Sequence, residues 1–360
     1  MTTYNFAAGP AMMPAPVIAQ IQAELPSLNG SGMSILEVSH RAADFDQIIT
    51  EAEADLRALM AIPDDYAVLF CQGGGTGQFA AVPLNLATTH KRIAVLDSGQ
   101  WAARAHDEAV ALGVQADVLE STKATRYASL PTLTAPLPVD QYDYLHICAN
   151  NTVEGTMYRH LPDVQGTPLV ADMSSNILAQ QVNVRDFGLI FAGAQKNLGP
   201  AGVTVVIVRK DLVRETPGIP SMLNYHLFMT KRSLYNTPPV FAIYALGLVL
   251  KWVRAEGGVA EMQRRNEAKS GKLYDFLDHS RLFSNPVAPA DRSLTNIPFM
   301  TGDTALDAEA IAQATARGLM NLKGHRSVGG LRASLYNAMP MNGVDALIAF
   351  LEEFEAQHVK

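Results

Sequence analysis

Short apolar runs recur along residues 66–208 and alternate with polar or helix-like stretches. The runs are rich in valine, isoleucine and leucine with little polar alternation, which is typical of β-strands covered on both faces. They are YAVLF (66–70), RIAVLD (92–97), QADVLE (115–120), YDYLHI (142–147), PLVADM (168–173), FGLIFAG (187–193) and VTVVIV (203–208). Between two of them, residues 99–113 have a helical pattern that ends in a glycine suited to a C-cap. We therefore expect an α/β fold with a mostly parallel seven-stranded sheet.

The pattern changes after about residue 255. Residues 255–280 predict a polar amphipathic helix, and the rest of the chain alternates strand, helix, strand and helix. These four segments are RSLTNIPFM (292–300), LDAEAIAQATARGLM (306–320), SVGGLRASLYN (327–337) and NGVDALIAFLEEFEAQ (342–357). We expect a large domain over residues 15–255 and a smaller α/β domain formed by 256–360 together with 1–14.

Composition narrows the class of protein. The 360 residues are 48% hydrophobic and 18% charged, as in ordinary globular proteins. The most apolar window, 238–253, is too short to cross a bilayer and predicts a buried helix. The first residues lack a basic segment followed by an apolar one, so we expect no secretory signal and a cytoplasmic location.

Charge and cysteine content exclude further classes. The net charge is −7 and no basic run interrupts it, so nucleic acid and anionic membranes are not expected partners. A few converging arginines still allow an anionic small substrate. The two cysteines, Cys71 and Cys148, are too few for a disulfide framework or a four-cysteine zinc site. We expect buried, unreactive thiols and no metal site.

A glycine-rich stretch, CQGGGTGQF (71–79), follows the first predicted strand and leads into a helix. Backbone N–H groups at such a helix N-terminus suit a phosphate. The stretch has neither the lysine of a nucleoside-triphosphate loop nor the spacing of a dinucleotide fingerprint. A tight turn that needs positive φ explains the same glycines, so both interpretations stay open.

Two further loops after predicted strands contain candidate ligand-binding side chains. Trp101 is placed either to stack on a planar ring or to pack in the core. Thr152 either offers its hydroxyl to a ligand or caps a turn. Neither residue by itself shows whether this edge of the sheet binds a ligand.

An acid and a lysine end neighbouring predicted strands. Asp172 ends the apolar part of 168–173, and Lys196 follows 187–193 among glycines, alanines and a proline. Both are expected at the sheet edge where α/β proteins bind ligands. Pyridoxal 5′-phosphate (PLP) requires a lysine for a Schiff base, a carboxylate at its ring nitrogen, phosphate donors and an aromatic neighbour. The combination at four strand ends predicts PLP with a Schiff base on Lys196, although each residue alone has a structural explanation.

Motifs along essentially the whole chain resemble those of the phosphoserine aminotransferases, a class-V family of fold type I PLP enzymes. These motifs are NFAAGPAMMP (5–14), EVSHRAADF (37–45), LFCQGGGTGQFAAVPLNL (69–86), AGAQKNLGPAG (192–202), YNTPPVFAIY (235–244) and GHRSVGGLRASLYNAMP (324–340). The resemblance implies a homodimeric aminotransferase with one PLP per subunit.

The resemblance also implies roles for individual cofactor-binding residues. Lys196 would form the Schiff base, Asp172 would pair with the pyridinium nitrogen, Trp101 would stack on the ring, and Thr152 would hydrogen-bond near the phenolic oxygen. The phosphate would be bound by Gly75, Thr76, Gln195 and, from the neighbouring subunit, Asn236 and Thr237.

Substrate-binding residues follow from the same resemblance. Arg332 resembles the family arginine that binds the α-carboxylate, for which a planar guanidinium is well shaped. The side-chain phosphate would be bound by two histidine-arginine pairs, the second approaching across the dimer interface: His40 and Arg41, His325 and Arg326. Position 76 is arginine in some family members and threonine here, which calls a substrate role at that position into question.

The expected reaction transfers an amino group between L-glutamate and 3-phosphohydroxypyruvate in serine biosynthesis, giving O-phospho-L-serine and 2-oxoglutarate. A related keto acid of pyridoxine biosynthesis, 3-hydroxy-4-phosphohydroxy-α-ketobutyrate, is a second candidate substrate. Two alternatives stay open: another fold type I enzyme with a different small acidic substrate, and a non-catalytic protein that binds a phosphorylated ligand. A cysteine desulfurase is disfavoured because neither cysteine is placed on an evident mobile loop.

Overall fold

Seven strands form one central sheet in the computed structural model, which describes residues 2–359. All strands in this range are β1 (Tyr4–Asn5), β2 (Tyr66–Cys71), β3 (Arg92–Asp97), β4 (Gln115–Ser121), β5 (Leu145–Cys148), β6 (Leu169–Asp172), β7 (Leu189–Gly193), β8 (Thr204–Arg209), β9 (Asn296–Phe299), β10 (Leu319–Met320) and β11 (Leu331–Ser334). The α-helices are α1 (Ala15–Glu24), α2 (Ala43–Met60), α3 (Gly74–Leu86), α4 (Gln100–Ala111), α5 (Tyr225–Thr230), α6 (Val240–Ala255), α7 (Gly258–His279), α8 (Thr304–Ala316) and α9 (Met341–His358).

The strand order in the central sheet is β2-β8-β7-β6-β5-β3-β4. Strand β8 is antiparallel to both of its neighbours, and the other pairs are parallel. The predicted α/β fold with a mostly parallel seven-stranded sheet is therefore confirmed. Because β2, β3, β5, β6 and β7 run in the same direction, their carboxyl ends lie along one edge, which we call the binding edge.

Both faces of the sheet are covered. Along β2, Val68 and Phe70 join the core that α2 and α6 complete, whereas Leu69 and Cys71 join the core that α3 and α4 complete. The apolar window 238–253 corresponds to α6, most of which is buried, as predicted. Both cysteines are buried and unpaired, also as predicted, and burial raises the pKa of the Cys71 thiol to about 12.

The edge strand β4 departs from the prediction that every apolar run is covered on both faces. None of its residues is buried, and Val118 is 45% exposed. The strand pairs on one side only, with β3, and α4 covers it incompletely. The run QADVLE was therefore assigned the right secondary structure and the wrong burial.

The C-terminal part has small sheets of its own. Strands β9 and β11 pair antiparallel, and β1 pairs parallel with β10. Residues 319–320 were predicted as the end of a helix, but α8 ends at Ala316 and the chain turns through Gly318 at φ 81° into β10. A third apolar core unites Phe6 with residues of α7, α8 and α9. The domain bounds 15–255 and 256–360 with 1–14 stay a prediction.

Candidate active site

Lys196 lies just beyond β7 on the binding edge and is partly buried. Its Nζ donates a hydrogen bond to Thr152 Oγ1 at 2.6 Å and lies 6.0 Å from the centroid of the Trp101 ring. Burial lowers the pKa of the Lys196 ammonium, while Asp172 acts in the opposite direction. The neutral, nucleophilic form of the amine is thus more accessible than in an exposed lysine.

Asp172 is the last residue of the neighbouring strand β6 and is buried. Its Oδ1 accepts a hydrogen bond from the backbone N–H of Ser174 at 2.8 Å. Burial raises the pKa of the Asp172 carboxyl, and the positive charge of Lys196 opposes this shift. The predicted acid and lysine are therefore close enough to interact electrostatically across the β6–β7 edge.

The glycine-rich stretch forms the first turn of α3 rather than a loop that precedes it, since the helix begins at Gly74. Gly73 precedes the helix at φ 91°, a conformation that favours glycine, and no side chain caps the helix. In residues 2–359 no hydrogen bond uses the N–H of Gly75 or Thr76. A Cβ on Gly75 would lie 3.4 Å from Ser174 Oγ and 3.9 Å from Asp172 Oδ2. This turn brings backbone donors close to Asp172.

Gln195 and Ser174 flank the same region. The Gln195 side chain folds back over Gly193, where an added Cβ would lie 2.7 Å from its Oε1. Ser174 Oγ accepts a hydrogen bond from the backbone N–H of Gly193 at 3.1 Å. The two polar side chains therefore lie between the carboxyl ends of β6 and β7.

Trp101 begins α4 beyond the end of β3. Its ring stacks on Phe79 with the centroids 6.4 Å apart, and its Nε1 is buried without a hydrogen-bond partner in residues 2–359. The start of α4 is fixed by Glu154, whose Oε1 accepts a hydrogen bond from the N–H of Gln100 at 2.8 Å. Trp101 thus packs against Phe79 and also lies near Lys196 Nζ.

Arg332 comes from β11 of the C-terminal part and approaches the binding edge. Its Nη1 donates a hydrogen bond to the backbone oxygen of Thr152 at 3.3 Å. Its Nε is buried and has no partner among the described residues. Burial lowers the pKa of the Arg332 guanidinium, while Glu154 acts in the opposite direction. Two parts of the chain 180 residues apart therefore meet at Thr152.

His325 and Arg326 border a cleft of about 690 Å³ whose wall also includes Glu154. His325 Nδ1 lies 2.8 Å from Ser327 Oγ and 3.3 Å from the backbone nitrogen of Ser327, and the neutral ring carries one N–H that can donate. Burial first, and then the positive charges of Arg332 and Arg326, lower the pKa of His325. The neutral ring is thus a hydrogen-bond donor, and Arg326 supplies the positive charge.

The remaining predicted residues do not join Lys196 within this chain. His40 and the exposed Arg41 precede α2, and Asn236 and the exposed Thr237 precede α6. The hydrogen bond that Asn236 Nδ2 donates goes to the oxygen of Thr237 at 3.1 Å, and Asn236 Oδ1 has no partner in residues 2–359. Neither pair hydrogen-bonds to Lys196 or Asp172 in this range.

Several residues at the site were not identified from the sequence. Glu154 and Ser174 each lie two residues after a predicted site residue, Thr152 and Asp172 respectively, and this proximity is the only sequence feature that could have indicated them. Lys123 and Arg126 also line the 690 Å³ cleft, and the only sequence signal is two cations in the loop after β4. A single sequence cannot separate such cations from ordinary solvated ones.

The described part of the chain contains neither a candidate metal site nor a candidate membrane-spanning helix. Residues 2–359 contain no group of three or more histidine, cysteine, aspartate or glutamate side chains placed to hold a metal ion. In the same range no helix has both the length and the hydropathy to cross a membrane.

Known proteins resemble this chain over nearly its full length. Residues 3–347 match the model of the family described as aminotransferase class-V. The chain is 64% identical over 358 residues to the phosphoserine aminotransferase of Lactobacillus helveticus, an alignment that covers 99% of this chain and 96% of the relative.

Solved structures agree with the sequence relatives. The phosphoserine aminotransferase of Bacillus circulans subsp. alkalophilus is similar with a TM-score of 0.96 and 43% identity, covering 99% of both chains. The PLP-bound phosphoserine aminotransferase of Trichomonas vaginalis is similar with a TM-score of 0.91 and 37% identity, covering 98% of this chain and 100% of that one.

Proposed function

The chain belongs to the class-V aminotransferase family, and we propose that it transfers an amino group between L-glutamate and 3-phosphohydroxypyruvate. The products are O-phospho-L-serine and 2-oxoglutarate, so the reaction is a step of serine biosynthesis. The names of close relatives support this substrate pair. The structural observation that supports it best is the electrostatic pairing of buried Asp172 with Lys196 beside the uncapped start of α3.

The residues at the binding edge fit PLP. The missing side chain at Gly75 leaves space beside Asp172, and the unused N–H groups of Gly75 and Thr76 suit a phosphate. Trp101 presents a ring face at the level of Lys196 Nζ. PLP supplies an aldehyde that captures amines and a ring that withdraws electrons from the bonds at the substrate Cα.

Each residue has a separate task in the proposed reaction. Lys196 would hold the cofactor covalently, and its free amine, whose pKa is lowered by burial, would remove the Cα proton of the substrate. Asp172 holds a proton on the ring nitrogen. Thr152 orients the amine of Lys196, Trp101 stacks on the ring, and Gln195 donates to the cofactor phosphate with Gly75 and Thr76.

Substrate recognition is assigned to cations because both substrates are anionic. Arg332 binds the α-carboxylate through its planar guanidinium. Four residues bind the side-chain phosphate or carboxylate: His40, Arg41, His325 and Arg326. The lowered pKa of His325 implies that this ring donates a hydrogen bond without adding charge at neutral pH.

Borohydride reduction followed by peptide mass spectrometry tests the covalent assignment. The expected result is a cofactor mass on Lys196 in wild type and none in Lys196→Ala. Full turnover by Lys196→Ala, or a cofactor mass on another lysine, would rule out the assignment. A protein that binds a phosphorylated ligand without catalysis would give no reduced adduct at all.

Substrate choice is tested separately from the chemistry. We expect kcat/KM for 3-phosphohydroxypyruvate to exceed that for glyoxylate with the same amino donor. The reverse order would favour another fold type I aminotransferase. Rates on 3-hydroxy-4-phosphohydroxy-α-ketobutyrate, with and without the substitution Arg326→Gln, decide whether the pyridoxine-pathway substrate is used.

A homodimer is part of the proposal because, in residues 2–359 of one chain, Asn236 and Thr237 form no hydrogen bond with Lys196. In the second copy they would complete the phosphate site. Mixed dimers of Lys196→Ala and the double variant Asn236→Ala, Thr237→Ala provide the test. Shared sites predict that mixing two inactive proteins restores activity in one site of each mixed dimer. No recovery from verified mixed dimers would place all these residues in one chain's site.

We also infer a cytoplasmic location, which cell fractionation checks.

A further inference from the structure

A second lysine is buried far from any predicted site residue in the sequence. Lys269 lies on α7 and is 2% exposed. Its Nζ donates to three backbone oxygens: Tyr336 at 2.7 Å, Met339 at 3.0 Å and Leu335 at 3.2 Å. No carboxylate forms an ion pair with it in residues 2–359. Since an ammonium has three N–H donors, these carbonyls satisfy it completely.

The three carbonyls belong to one short segment, residues 335–339, which we call the 335–339 turn. It directly follows β11, the strand of Arg332, and leads into α9. A buried cation is costly unless fixed dipoles replace its water. The convergence of three carbonyls therefore indicates that Lys269 determines the conformation of the turn rather than merely filling space.

The same turn reaches the segment of Lys196. The backbone N–H of Asn337 donates to Asn197 Oδ1 at 2.9 Å, and Asn337 Nδ2 donates to the oxygen of Leu178 at 2.9 Å. Asn266, one helical turn before Lys269, donates to Asn337 Oδ1 at 2.7 Å. Helix α7 thus holds both the backbone and the key side chain of the turn.

The turn also fixes the first residues of the chain. Tyr336 Oη donates to the oxygen of Ala8 at 2.9 Å. The adjacent Gly9 lies against Lys196, since a Cβ on it would be 3.3 Å from Lys196 Cγ. Three routes therefore connect Lys269 to the binding edge: β11 to Arg332, Asn337 to Asn197, and Tyr336 to Ala8.

We propose that Lys269 is a positioning residue for the transamination proposed above, holding the 335–339 turn so that Arg332 and Lys196 keep their relative placement. Lys269 touches neither substrate nor cofactor. Its effect passes through Arg332 on one side and Asn197 on the other. The expected change in KM rests on the proposed function. The expected change in the conformation of the turn does not depend on bound cofactor.

The test compares wild type with Lys269→Met and Lys272→Met. Lys272 is the matched control because it lies on the same helix, is exposed and pairs with Asp345 at 2.5 Å. We expect Lys269→Met to raise the KM for glutamate at least about tenfold, the factor for one lost hydrogen bond to a charged group, with a smaller fall in kcat. Lys272→Met should keep the wild-type KM.

Hydrogen–deuterium exchange of the cofactor-free proteins gives the second readout. We expect faster exchange in residues 335–339 and 194–198 for Lys269→Met and no change for Lys272→Met. A folded Lys269→Met protein with wild-type KM and wild-type exchange at 194–198 overturns the proposal, even if its melting temperature falls.

If Lys269→Met does not fold, Asn337→Ala keeps the proposal falsifiable. This variant leaves Lys269 and its carbonyls in place and removes two side-chain contacts that hold the turn near Asn197. Faster exchange at 194–198 supports the coupling, and unchanged exchange overturns it. Failure of the proposed function is distinct, because it would appear as wild-type protein without cofactor binding or turnover.

Discussion

Two lysines, Lys196 and Lys269, show how differently one side chain is used in two regions of this molecule. Burial is the largest cause of a lowered pKa in both. At the binding edge, Lys196 Nζ donates to one hydroxyl, Thr152 Oγ1. In the joint between α7 and the 335–339 turn, Lys269 donates to three backbone carbonyls.

The difference teaches that a lowered pKa does not by itself identify a reactive amine. Lys269 has all its donors fixed by immobile acceptors, so movement of its amine would leave carbonyls unpaired. Lys196 has a single side-chain hydrogen-bond partner and lies against Gly9, where an added Cβ would be 3.3 Å from Lys196 Cγ. Unused donors and adjacent space, rather than burial, distinguish a lysine that reacts from one that holds structure.

The largest expected effect is the loss of turnover in Lys196→Ala, by about 10⁴-fold, the upper range for removing a general base. Small primary amines added to the solution should restore part of the rate, because the cavity left by the side chain opens onto the binding edge. Lys269→Ala is the matched variant. Its rate should not respond to added amine, because its site is closed. Equal amine rescue of both variants would remove the distinction between the two lysines.

Asp172→Asn is expected to lower turnover by about 10²- to 10³-fold, as for other preorganised electrostatic groups. The cofactor-free variant should nevertheless be more stable than wild type at neutral pH. The raised pKa of Asp172 means that the folded protein binds this proton more tightly than the unfolded chain does. Stability therefore falls as pH rises from 3.8 toward the raised pKa of Asp172 in the folded protein.

Urea unfolding of the cofactor-free proteins from pH 4 to 7.5 measures this effect. The gain in stability of Asp172→Asn over wild type should grow with pH. A gain that shrinks toward neutral pH would mean that Lys196 stabilises the carboxylate more than burial penalises it.

The third prediction contrasts the two lysines in stability rather than rate. Lys269→Met should lower the free energy of unfolding by about 1–3 kcal/mol, because a buried carbonyl without a partner costs that much. Lys196→Met should lower it less, since Lys196 Nζ has one hydroxyl partner and the Asp172 carboxyl left without its cation can take up a proton. Urea unfolding without cofactor checks both. Equal destabilisation would show that both amines are structural.

The sheet and the rim of the site were predictable from sequence because strands covered on both faces leave continuous apolar runs, as in β6 and β7. The ends of these runs located Asp172 and Lys196. The exposure of β4 was not predictable, since its run resembles the others and only its edge position leaves Val118 in solvent.

Contacts between residues far apart in the chain also could not be predicted from a single sequence. Nothing local indicates that Arg332 reaches the backbone of Thr152, and only family resemblance suggested its role. For Lys269, one sequence feature indicated burial. This lysine shares the buried stripe of α7 with Met262, Asn266 and Leu273 at helical spacing. A lysine and an asparagine on such a stripe indicate fixed polar contacts, but not which carbonyls they bind.

The smallest effect is expected from Thr152→Val, which removes the hydroxyl partner of Lys196. A hydrogen bond of this kind is worth about 0.5–1.5 kcal/mol, so turnover should change by no more than about tenfold. The hydroxyl oxygen accepts from the amine and favours its charged form, so its loss should lower the pKa of Lys196 further. The pH dependence of acylation of Lys196 in cofactor-free protein, read by mass spectrometry, measures that pKa. Thr152→Ser keeps the hydroxyl and should titrate like wild type, whereas acylation of Lys269 should stay slow in every variant. If the acylation midpoint of Lys196 instead rises in Thr152→Val, the hydroxyl must donate to the neutral amine rather than accept from the charged one.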